Sequence, residues 1–444
     1  MTIQSGSGPA VGGSRDIVSE HRKHLFPWVR PYYHEPLVLE EGQGVWVRDI
    51  EGRELLDFFA GILTTSIGHA HPSVNQRVTE QMQRIGHTST LYVTEPQIEV
   101  ARQLARLAPG GLNRTAFLNS GTEAVETAIM AASLFTGRSE IIALRHGYSG
   151  RSILASNLTA HAPWRPLSSQ IPGIKHARAP YVYRSPLGED VPEDAHTDFF
   201  IQDLVEVIET TTSGRPAALL AESILGVGGF IVPPTGYLRR AAEVIREYGG
   251  VFIADEVQSG FGRTGDRWFG CEHGGVEPDI MIMAKGIANG FPVGATMARD
   301  EIAEAWSGLS ISTYGGNPIS MAAASATLEV MVSEDVPKRS RERGDQIRTT
   351  LERLQGEHAW VGDVRGMGLM QAVEVVEDRA GKEPAPARAR AVQEAALEEG
   401  LLVGLGGLKG HVLRIGPSML ITEDETREAL ERLTRAFERA DPAG

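Results

Sequence analysis

The sequence of 444 residues contains one cysteine, Cys271. A single cysteine excludes an internal disulfide framework and a multi-cysteine metal site, so we expect no metal and a reducing, cytoplasmic location. No apolar run reaches the roughly 18 residues of a membrane-spanning helix. Lysine and arginine form no cluster, and the formal net charge is −14. Nucleic acid and membranes are therefore not expected partners.

Several catalytic motifs are also absent. The chain has no Walker pattern, no H-E-x-x-H and no G-x-S-x-G, so nucleotide hydrolysis, zinc proteolysis and serine hydrolysis have no support. Residues 1–16 are small and polar, without the apolar centre of a signal peptide. We expect this stretch to be a disordered tail.

What the chain does contain is a series of short β-rich runs alternating with helical patterns. The runs are almost continuously apolar, which is typical of strands covered on both faces in a mostly parallel sheet. They are residues 115–119, 140–144, 217–223, 251–255 and 279–284. This alternation predicts an α/β fold.

The pattern changes after about residue 318. Two helices are predicted over 317–334 and 336–355, strands over 364–376 and 411–417, and a last helix over about 423–439. We therefore expect three parts: 1–60 as a tail plus part of a small domain, 61–318 as a large mostly parallel-sheet α/β domain, and 319–444 as a smaller α+β domain.

A strand, tight turn and helix are predicted over 117–137. Ser120 and Glu123 form an S-x-x-E capping pattern, Gly121 lets backbone N–H groups approach a ligand, and Thr122 offers a hydroxyl. A helix N-terminus favours an anion such as a phosphate. An ordinary capped helix explains the same pattern.

Asp255 and Lys285 each follow an apolar strand, at the end where parallel sheets bind ligands. Asp255 could simply cap the following turn, and Lys285 could extend to the surface. Taken together with the anion cradle, however, they form the set that pyridoxal phosphate needs: a helix N-terminus for its phosphate, a carboxylate for its ring nitrogen and a lysine for its aldehyde.

These residues resemble those of the class III aminotransferases, which are fold type I pyridoxal-phosphate enzymes. The similarity extends from residue 55 to 425 and includes "NSGTEA", "IADEVQSGFGRTG", "AKGIANGFPVGA", "TYGGNP" and "VLRIGPS". The nearest subgroup is that of the alanine–glyoxylate and amine–pyruvate aminotransferases.

The resemblance implies a role for each matching residue. Lys285 would bind the cofactor aldehyde and then transfer protons, Asp255 would keep the ring nitrogen protonated, and Gln258 would reach the ring oxygen. Ser120, Gly121 and Thr122 would hold the phosphate. Thr313 would reach the phosphate of a neighbouring subunit's cofactor, so a homodimer, or a dimer of dimers, is expected.

Three further positions follow from the resemblance. Tyr148 would stack on the ring, although Ser149 stands where the family usually has histidine; another register would involve His146. Glu222 would support the turn around Asp255.

Arg414 would bind a substrate carboxylate, unless it is a surface arginine on an edge strand. Relatives acting on 4-aminobutyrate or ornithine have a glutamate where this chain has Val227. The expected reaction is therefore ping-pong transfer of an amino group from an amine or amino acid to pyruvate or glyoxylate. A 4-aminobutyrate/ornithine-type 2-oxoglutarate aminotransferase and an aminomutase are the alternatives.

Overall fold

Residues 13–168, 170–188 and 190–441 are described by a computed structural model of the chain. Fifteen strands lie within these ranges. They are β1 (Leu39–Gln43), β2 (Trp46–Asp49), β3 (Glu54–Asp57), β4 (Arg114–Leu118), β5 (Ile141–Leu144), β6 (Ile174–Ala177), β7 (Ala218–Glu222), β8 (Val251–Asp255), β9 (Ile280–Met283), β10 (Gly294–Ala298), β11 (Val361–Met367), β12 (Met370–Val375), β13 (Leu401–Leu402), β14 (Gly404–Gly406) and β15 (Val412–Ile415).

The described ranges also contain thirteen helical segments. They are α1 (Ser14–His24), α2 (Ala60–Leu63), α3 (Pro72–Arg84), α4 (Glu95–Leu107), α5 (Gly121–Thr136), α6 (Ile153–Leu158), α7 (Glu193–Thr211), α8 (Tyr237–Glu247), α9 (Asp300–Glu304), α10 (Pro318–Ser333), α11 (Val336–Glu357), α12 (Pro386–Glu398) and α13 (Glu423–Ala440). None of those described is long and apolar enough to cross a membrane.

The central sheet has seven strands in the order β4-β10-β9-β8-β7-β5-β6. Strands β9, β8, β7, β5 and β6 run parallel, while β10 is antiparallel to both neighbours. All residues of β5, β7, β8 and β9 are buried, which explains their continuous apolar character. The predicted mostly parallel α/β fold is confirmed. The carboxyl ends of β4, β9, β8, β7 and β5 meet at one edge.

Two four-stranded sheets flank this core. One, β1-β2-β3-β13, joins the N-terminal strands to the C-terminal part of the chain through parallel pairing of Leu56 with Leu401. The other, β11-β12-β15-β14, is antiparallel. The pairing of Leu56 with Leu401 is consistent with a small domain built from both ends of the chain. The boundaries at residues 60/61 and 318/319 stay a proposal.

Two sequence predictions are wrong in detail. The expected tail over 1–16 ends in a helix, because α1 begins at Ser14; residues 1–12 lie outside the described ranges. The strand expected over 364–376 is a hairpin of β11 and β12, because the chain turns between Met367 and Met370, where Gly368 adopts a positive φ of 50°.

Candidate active site

The predicted cofactor residues meet at the carboxyl edge of the central sheet. Ser120 follows β4, Asp255 ends β8, and Lys285 lies two residues beyond β9. Gly121 shows how close these segments are: a Cβ atom built there would lie 3.5 Å from Ala284 Cβ and 3.6 Å from a methyl group of Val257. The helix N-terminus, the carboxylate turn and the lysine turn therefore pack against one another.

Asp255 is buried, with 4% of its surface exposed. One oxygen, Oδ1, accepts a hydrogen bond from Val257 N at 3.0 Å. This is the turn-capping contact that the sequence left open, and it uses one of the two carboxylate oxygens. Oδ2 accepts no hydrogen bond from the described residues. Burial and then the negative charge of Glu222 raise the pKa of Asp255 to about 8. A cation placed against Oδ2 would lower it again.

The neighbouring Glu256 has a different environment. Its carboxylate accepts hydrogen bonds from the Ser223 and Ser259 hydroxyls and from the N–H groups of Gly270 and Cys271, at 2.5–2.8 Å. These contacts hold together the glycine-rich loop that follows β8. Glu256 is therefore a structural residue of the turn, whereas Asp255 keeps a free oxygen.

Lys285 has a positive φ of 48° at the first position of a short 3₁₀ turn, Lys285–Ala288. Non-glycine residues adopt this conformation at a cost, and such strain is concentrated at functional sites. Its side chain is partly buried. Burial and then the positive charge of Arg414 lower the pKa of Lys285 to about 8. A substantial fraction of its amine is therefore uncharged and nucleophilic near neutral pH.

Glu222, at the end of β7, links three parts of the site. It accepts hydrogen bonds from Tyr148 N and Gly226 N, both at 2.8 Å. Burial raises its pKa despite these bonds. Gly226 lies against Gln258 so closely that a Cβ atom would be 2.2 Å from the Gln258 amide nitrogen. Gln258 Oε1 is buried and has no hydrogen-bond partner in the described chain.

At the N-terminus of α5, Ser120 Oγ accepts a hydrogen bond from Glu123 N at 3.2 Å. The predicted cap is thus present, although the Glu123 carboxylate bonds Asn119 N, at 2.7 Å, rather than Ser120 N. The N–H groups of Gly121 and Thr122 make no hydrogen bond within the described residues. Two free N–H groups at the N-terminus of a 16-residue helix suit an anion.

Tyr148 lies half-buried beside Glu222, and its ring contacts Trp164 edge-on at 5.9 Å. The N–H of Ser149 donates to the hydroxyl of Thr159. His146 lies in contact with the ring of Tyr181 at 5.9 Å. The role of His146 in an alternative register stays a prediction.

Thr313 is exposed on the loop before α10. Within the described chain it makes no hydrogen bond to the residues at the sheet edge. Its predicted contact is with a cofactor held by another subunit, so its position in one chain does not test that prediction.

Arg414 is buried on β15, which lies between β12 and β14, so the alternative of a surface arginine on an edge strand is wrong. Its Nε donates to Leu405 O at 3.0 Å and its Nη1 to Gly226 O at 3.3 Å. Val227, the next residue of that loop, contributes no charge. Burial lowers the pKa of Arg414, but a guanidinium remains charged in proteins.

Sequence reasoning missed the aromatic side chains around Arg414. The guanidinium carbon lies 5.0 Å from the ring centre of Phe59 and 5.6 Å from that of Phe230. Tyr32, in the N-terminal segment, donates a hydrogen bond to Leu405 O, the carbonyl oxygen that also accepts from Arg414 Nε. These residues belong to three distant parts of the sequence, and each one alone looks like an ordinary core or surface aromatic residue.

The class-III aminotransferase family matches residues 29–437 of this chain. The chain is a class III aminotransferase. Among its relatives, alanine–glyoxylate aminotransferase 2 homolog 2, mitochondrial, of Arabidopsis thaliana is 39% identical over 427 residues, covering 96% of this chain and 88% of the relative. The acetylornithine aminotransferase of Methanopyrus kandleri is 39% identical over 407 residues, covering 91% and 95%.

A solved amine transaminase from an uncultivated Pseudomonas species, in its pyridoxal-phosphate-bound form, superposes on this aminotransferase with a TM-score of 0.88. It is 32% identical and covers 94% of this chain and 99% of the other. The fold type I assignment and amino-group transfer as the activity are therefore established. The cofactor of this family is pyridoxal phosphate.

The side chains of this aminotransferase fit that cofactor. Asp255 Oδ2 and Gln258 Oε1 are polar atoms in a buried place with no partner among the described residues, and buried polar atoms are normally paired. The free N–H groups at the start of α5 suit a phosphate. The positive charge of Lys285 acts to lower the pKa of both Asp255 and Glu222, so its amine lies within electrostatic range of the two carboxylates. Each polar part of the cofactor has a complementary group on one edge of the sheet.

Proposed function

We propose that this aminotransferase moves an amino group from an amine or amino acid to a small 2-oxo acid, pyruvate or glyoxylate, in a ping-pong reaction. This proposal rests on the groups that surround Arg414. A charged guanidinium with Gly226 O, Leu405 O and Val227 beside it can pair with one substrate carboxylate. No carboxylate of the described residues lies within 4 Å to form an ion pair with the arginine when a donor without an acid group is bound. A short monocarboxylate acceptor suits this arrangement.

The cofactor, when bound, supplies an aldehyde that accepts the amino group and a ring that withdraws electrons from the substrate carbon. Lys285 Nζ would take and return the proton at that carbon. Asp255 Oδ2 would hold a proton on the ring nitrogen, Gln258 would bond the ring oxygen, and Tyr148 would stack on the ring. Ser120, Gly121 and Thr122 bind the phosphate. The displaced pKa values of Asp255 and Lys285 support these roles.

Glu222 acts indirectly in this proposal. Its bonds to the N–H groups of Tyr148 and Gly226 fix the backbone on which the ring-covering tyrosine and the arginine contact depend. Its negative charge also raises the pKa of Asp255. The Asp255 carboxylate therefore shares a proton more readily. Arg414 binds the carboxylate of the acceptor through paired charged hydrogen bonds.

We further propose that two chains form a homodimer, with Thr313 of each reaching the other's cofactor phosphate. Large apolar side chains are exposed on two adjoining loops: Leu91, Tyr92, Val93, Leu309, Ile311 and Tyr314. The loops touch through His87 and Tyr314, whose rings are 5.2 Å apart. Concentrated exposed apolar surface of this kind marks a protein contact. A cytoplasmic location remains a proposal, supported by the free, buried Cys271.

The acceptor is tested by following ¹⁵N from labelled isopropylamine into products with pyruvate, glyoxylate or 2-oxoglutarate as acceptor. We expect labelled alanine and glycine to form at least tenfold faster than labelled glutamate. Preference for 2-oxoglutarate would favour the acetylornithine or 4-aminobutyrate type instead. Turnover without any acceptor, giving an isomer of the donor, would favour the aminomutase.

A further inference from the structure

Arg414 is held without any ion pair. Among the described residues no carboxylate lies within 4 Å of its guanidinium, and its two hydrogen bonds go to the carbonyl oxygens of Leu405 and Gly226. The charge is nevertheless buried, with 6% of the residue exposed. A buried cation costs free energy unless other groups compensate for the lost water. The groups that hydrogen-bond to Arg414 are neutral carbonyl oxygens, and the negative charge of Glu222 acts on it from farther away.

Two aromatic rings supply part of this compensation. The guanidinium carbon lies 5.0 Å from the centre of the Phe59 ring and 5.6 Å from that of Phe230, both within cation–π range. The backbone approaches equally closely: at Gly406 a Cβ atom would lie 2.7 Å from Arg414 Nε. The guanidinium is thus confined by rings and backbone rather than by charge.

Tyr32 completes this enclosure from the N-terminal segment. Its hydroxyl donates to Leu405 O at 3.4 Å and accepts a hydrogen bond from Leu405 N. The same carbonyl oxygen, Leu405 O, accepts the hydrogen bond from Arg414 Nε at 3.0 Å. Its ring is parallel to that of Phe59, at 6.3 Å and 5°. Arg390 fixes the backbone of Tyr32 by donating to its carbonyl oxygen at 2.8 Å.

We propose that Tyr32 is a positioning residue that determines specificity by holding Arg414 ready for a small monocarboxylate. This inference rests on the proposed function of the site. By fixing Leu405, whose carbonyl oxygen accepts from Arg414 Nε, the Tyr32 hydroxyl orients the guanidinium without neutralising it. An incoming carboxylate therefore meets a positive charge that no ion pair must first release. The acceptor's carboxylate then takes the place that an acidic side chain would otherwise occupy, and substrates lacking this group gain nothing from Tyr32.

Alanine and isopropylamine form a matched pair of donors, because they differ by a carboxylate in place of a methyl group. The holoenzyme is compared with its Tyr32→Phe variant by measuring kcat/KM for both donors with saturating glyoxylate, which gives glycine with either donor. We expect the alanine-to-isopropylamine ratio to fall about tenfold, because Leu405 is no longer fixed and its charged hydrogen bond with Arg414 weakens. The loss should appear mainly in the KM for alanine.

A binding measurement tests the same point without turnover. Calorimetric titration of the holoenzyme with propionate should give a Kd about tenfold weaker for Tyr32→Phe. Tyr33→Phe is the control, because it loses the same atom from the adjacent residue, whose side chain packs with Val47 and Leu55 away from Arg414; its ratio and Kd should match those of the natural chain. If Tyr32→Phe were unstable, Arg390→Gln should weaken propionate binding in the same direction.

The proposal is overturned if alanine and isopropylamine lose the same factor, if propionate binding is unchanged, or if Tyr33→Phe has the same effect. These results would leave the aminotransferase assignment intact. By contrast, failure of the natural chain to transfer nitrogen to pyruvate or glyoxylate would remove the proposed function itself, whatever Tyr32→Phe did.

Discussion

Two buried groups of charged side chains lie on either side of the 226–229 loop, and their charges are arranged in opposite ways. In the group at the sheet edge, Asp255, Glu222, Lys285 and Arg414 form no ion pair within 4 Å among the described residues. The pKa of Asp255 is raised and that of Lys285 lowered, each to about 8. Their ionised forms are poorly compensated by the protein alone.

The second group, which we call the ion cluster, consists of Glu374, Arg365, Arg184, Tyr181 and His411. Glu374 accepts from Arg365 at 2.7 Å, from Arg184 at 2.6 Å and from the Tyr181 hydroxyl, and His411 lies 3.3 Å away. Burial alone would raise the pKa of Glu374, but His411 and the two guanidinium groups hold it well below its usual range. Here each charge is compensated within the chain.

The ion cluster joins β11 and β12 to the Tyr181–Arg184 segment, and Arg365 Nε also donates to Gly229 O at 2.8 Å. It thereby holds one end of the loop whose other end contacts Arg414 and Glu222. The comparison suggests a division of roles. The paired cluster stabilises the fold, while the unpaired group keeps its polar atoms for a cofactor and a substrate, at a cost to the stability of the apoprotein.

The largest effect is expected at Lys285. Lys285→Ala should abolish transamination and the visible absorbance of the cofactor joined to its lysine, because no other lysine of the described residues lies at the carboxyl edge of the sheet beside Asp255. An absorbance spectrum after addition of pyridoxal phosphate provides the measurement. Lys338→Ala, at an exposed position on α11, should keep both properties. A variant lacking Lys285 that still bound the cofactor with the same spectrum would refute this role.

Glu374→Gln should destabilise the protein by roughly 3–5 kcal/mol, because it removes the carboxylate that pairs with the buried Arg365 and the partly buried Arg184. The pH dependence has a definite sign: a depressed folded-state pKa stabilises the fold above the unfolded value of about 4.3 and loses that effect as pH falls below it. The variant should therefore lose stability less steeply on acidification. Urea unfolding from about pH 2 to pH 7 measures both effects.

Glu329→Gln is the control for the ion cluster, because Glu329 pairs with Arg77 at 2.8 Å on the surface. Its cost should stay below about 1 kcal/mol. Equal costs for the two substitutions would mean that the cluster is no more important to stability than a surface pair.

Arg414→Ala should reduce kcat/KM for pyruvate about 100-fold, since paired hydrogen bonds to a charged carboxylate are lost. The half-reaction with isopropylamine should be affected much less. Steady-state kinetics with each substrate varied in turn give the comparison. Equal losses for the acid and the simple amine would remove Arg414 from carboxylate binding.

The smallest expected effect is that of Asp255→Asn on the stability of the apoprotein. This substitution should stabilise the fold rather than destabilise it. Because the folded-state pKa of Asp255 lies above its unfolded value, the fold loses stability as pH rises from about 4 to about 8. The amide has no such penalty, so apo Asp255→Asn should be about 1–3 kcal/mol more stable at pH 7 and equal at pH 4. Asp300→Asn, at an exposed carboxylate bonded to Arg114, should show no gain.

Much of the fold could be predicted from the sequence because the central strands are buried on both faces. The runs at 251–255 and 279–284 correspond to β8 and β9 almost residue for residue. Strand β10, with the sequence GATMA, was not predicted because its small residues resemble a loop. Its burial depends on pairing with β4 and β9, which a local pattern cannot reveal.

The site shows the same limit. Asp255, Lys285 and the start of α5 carry local signals, since each is a polar residue or turn at the end of an apolar strand. The enclosure of Arg414 does not, because Tyr32, Phe59 and Phe230 meet only after the N-terminal segment, α2 and the loop after β7 have packed together. Neither does the ion cluster, whose members come from one sheet, from the residue before β15 and from the distant Tyr181–Arg184 segment.

We propose that Lys285 and Asp255 bind the two ends of one cofactor ring at the sheet edge. Reducing the holoenzyme with borohydride, digesting it and locating the modified peptide by mass spectrometry tests this arrangement. We expect a single phosphopyridoxyl group on Lys285, at full occupancy in the natural chain and at strongly reduced occupancy in Asp255→Ala. Modification of a different lysine, or of none, would contradict it.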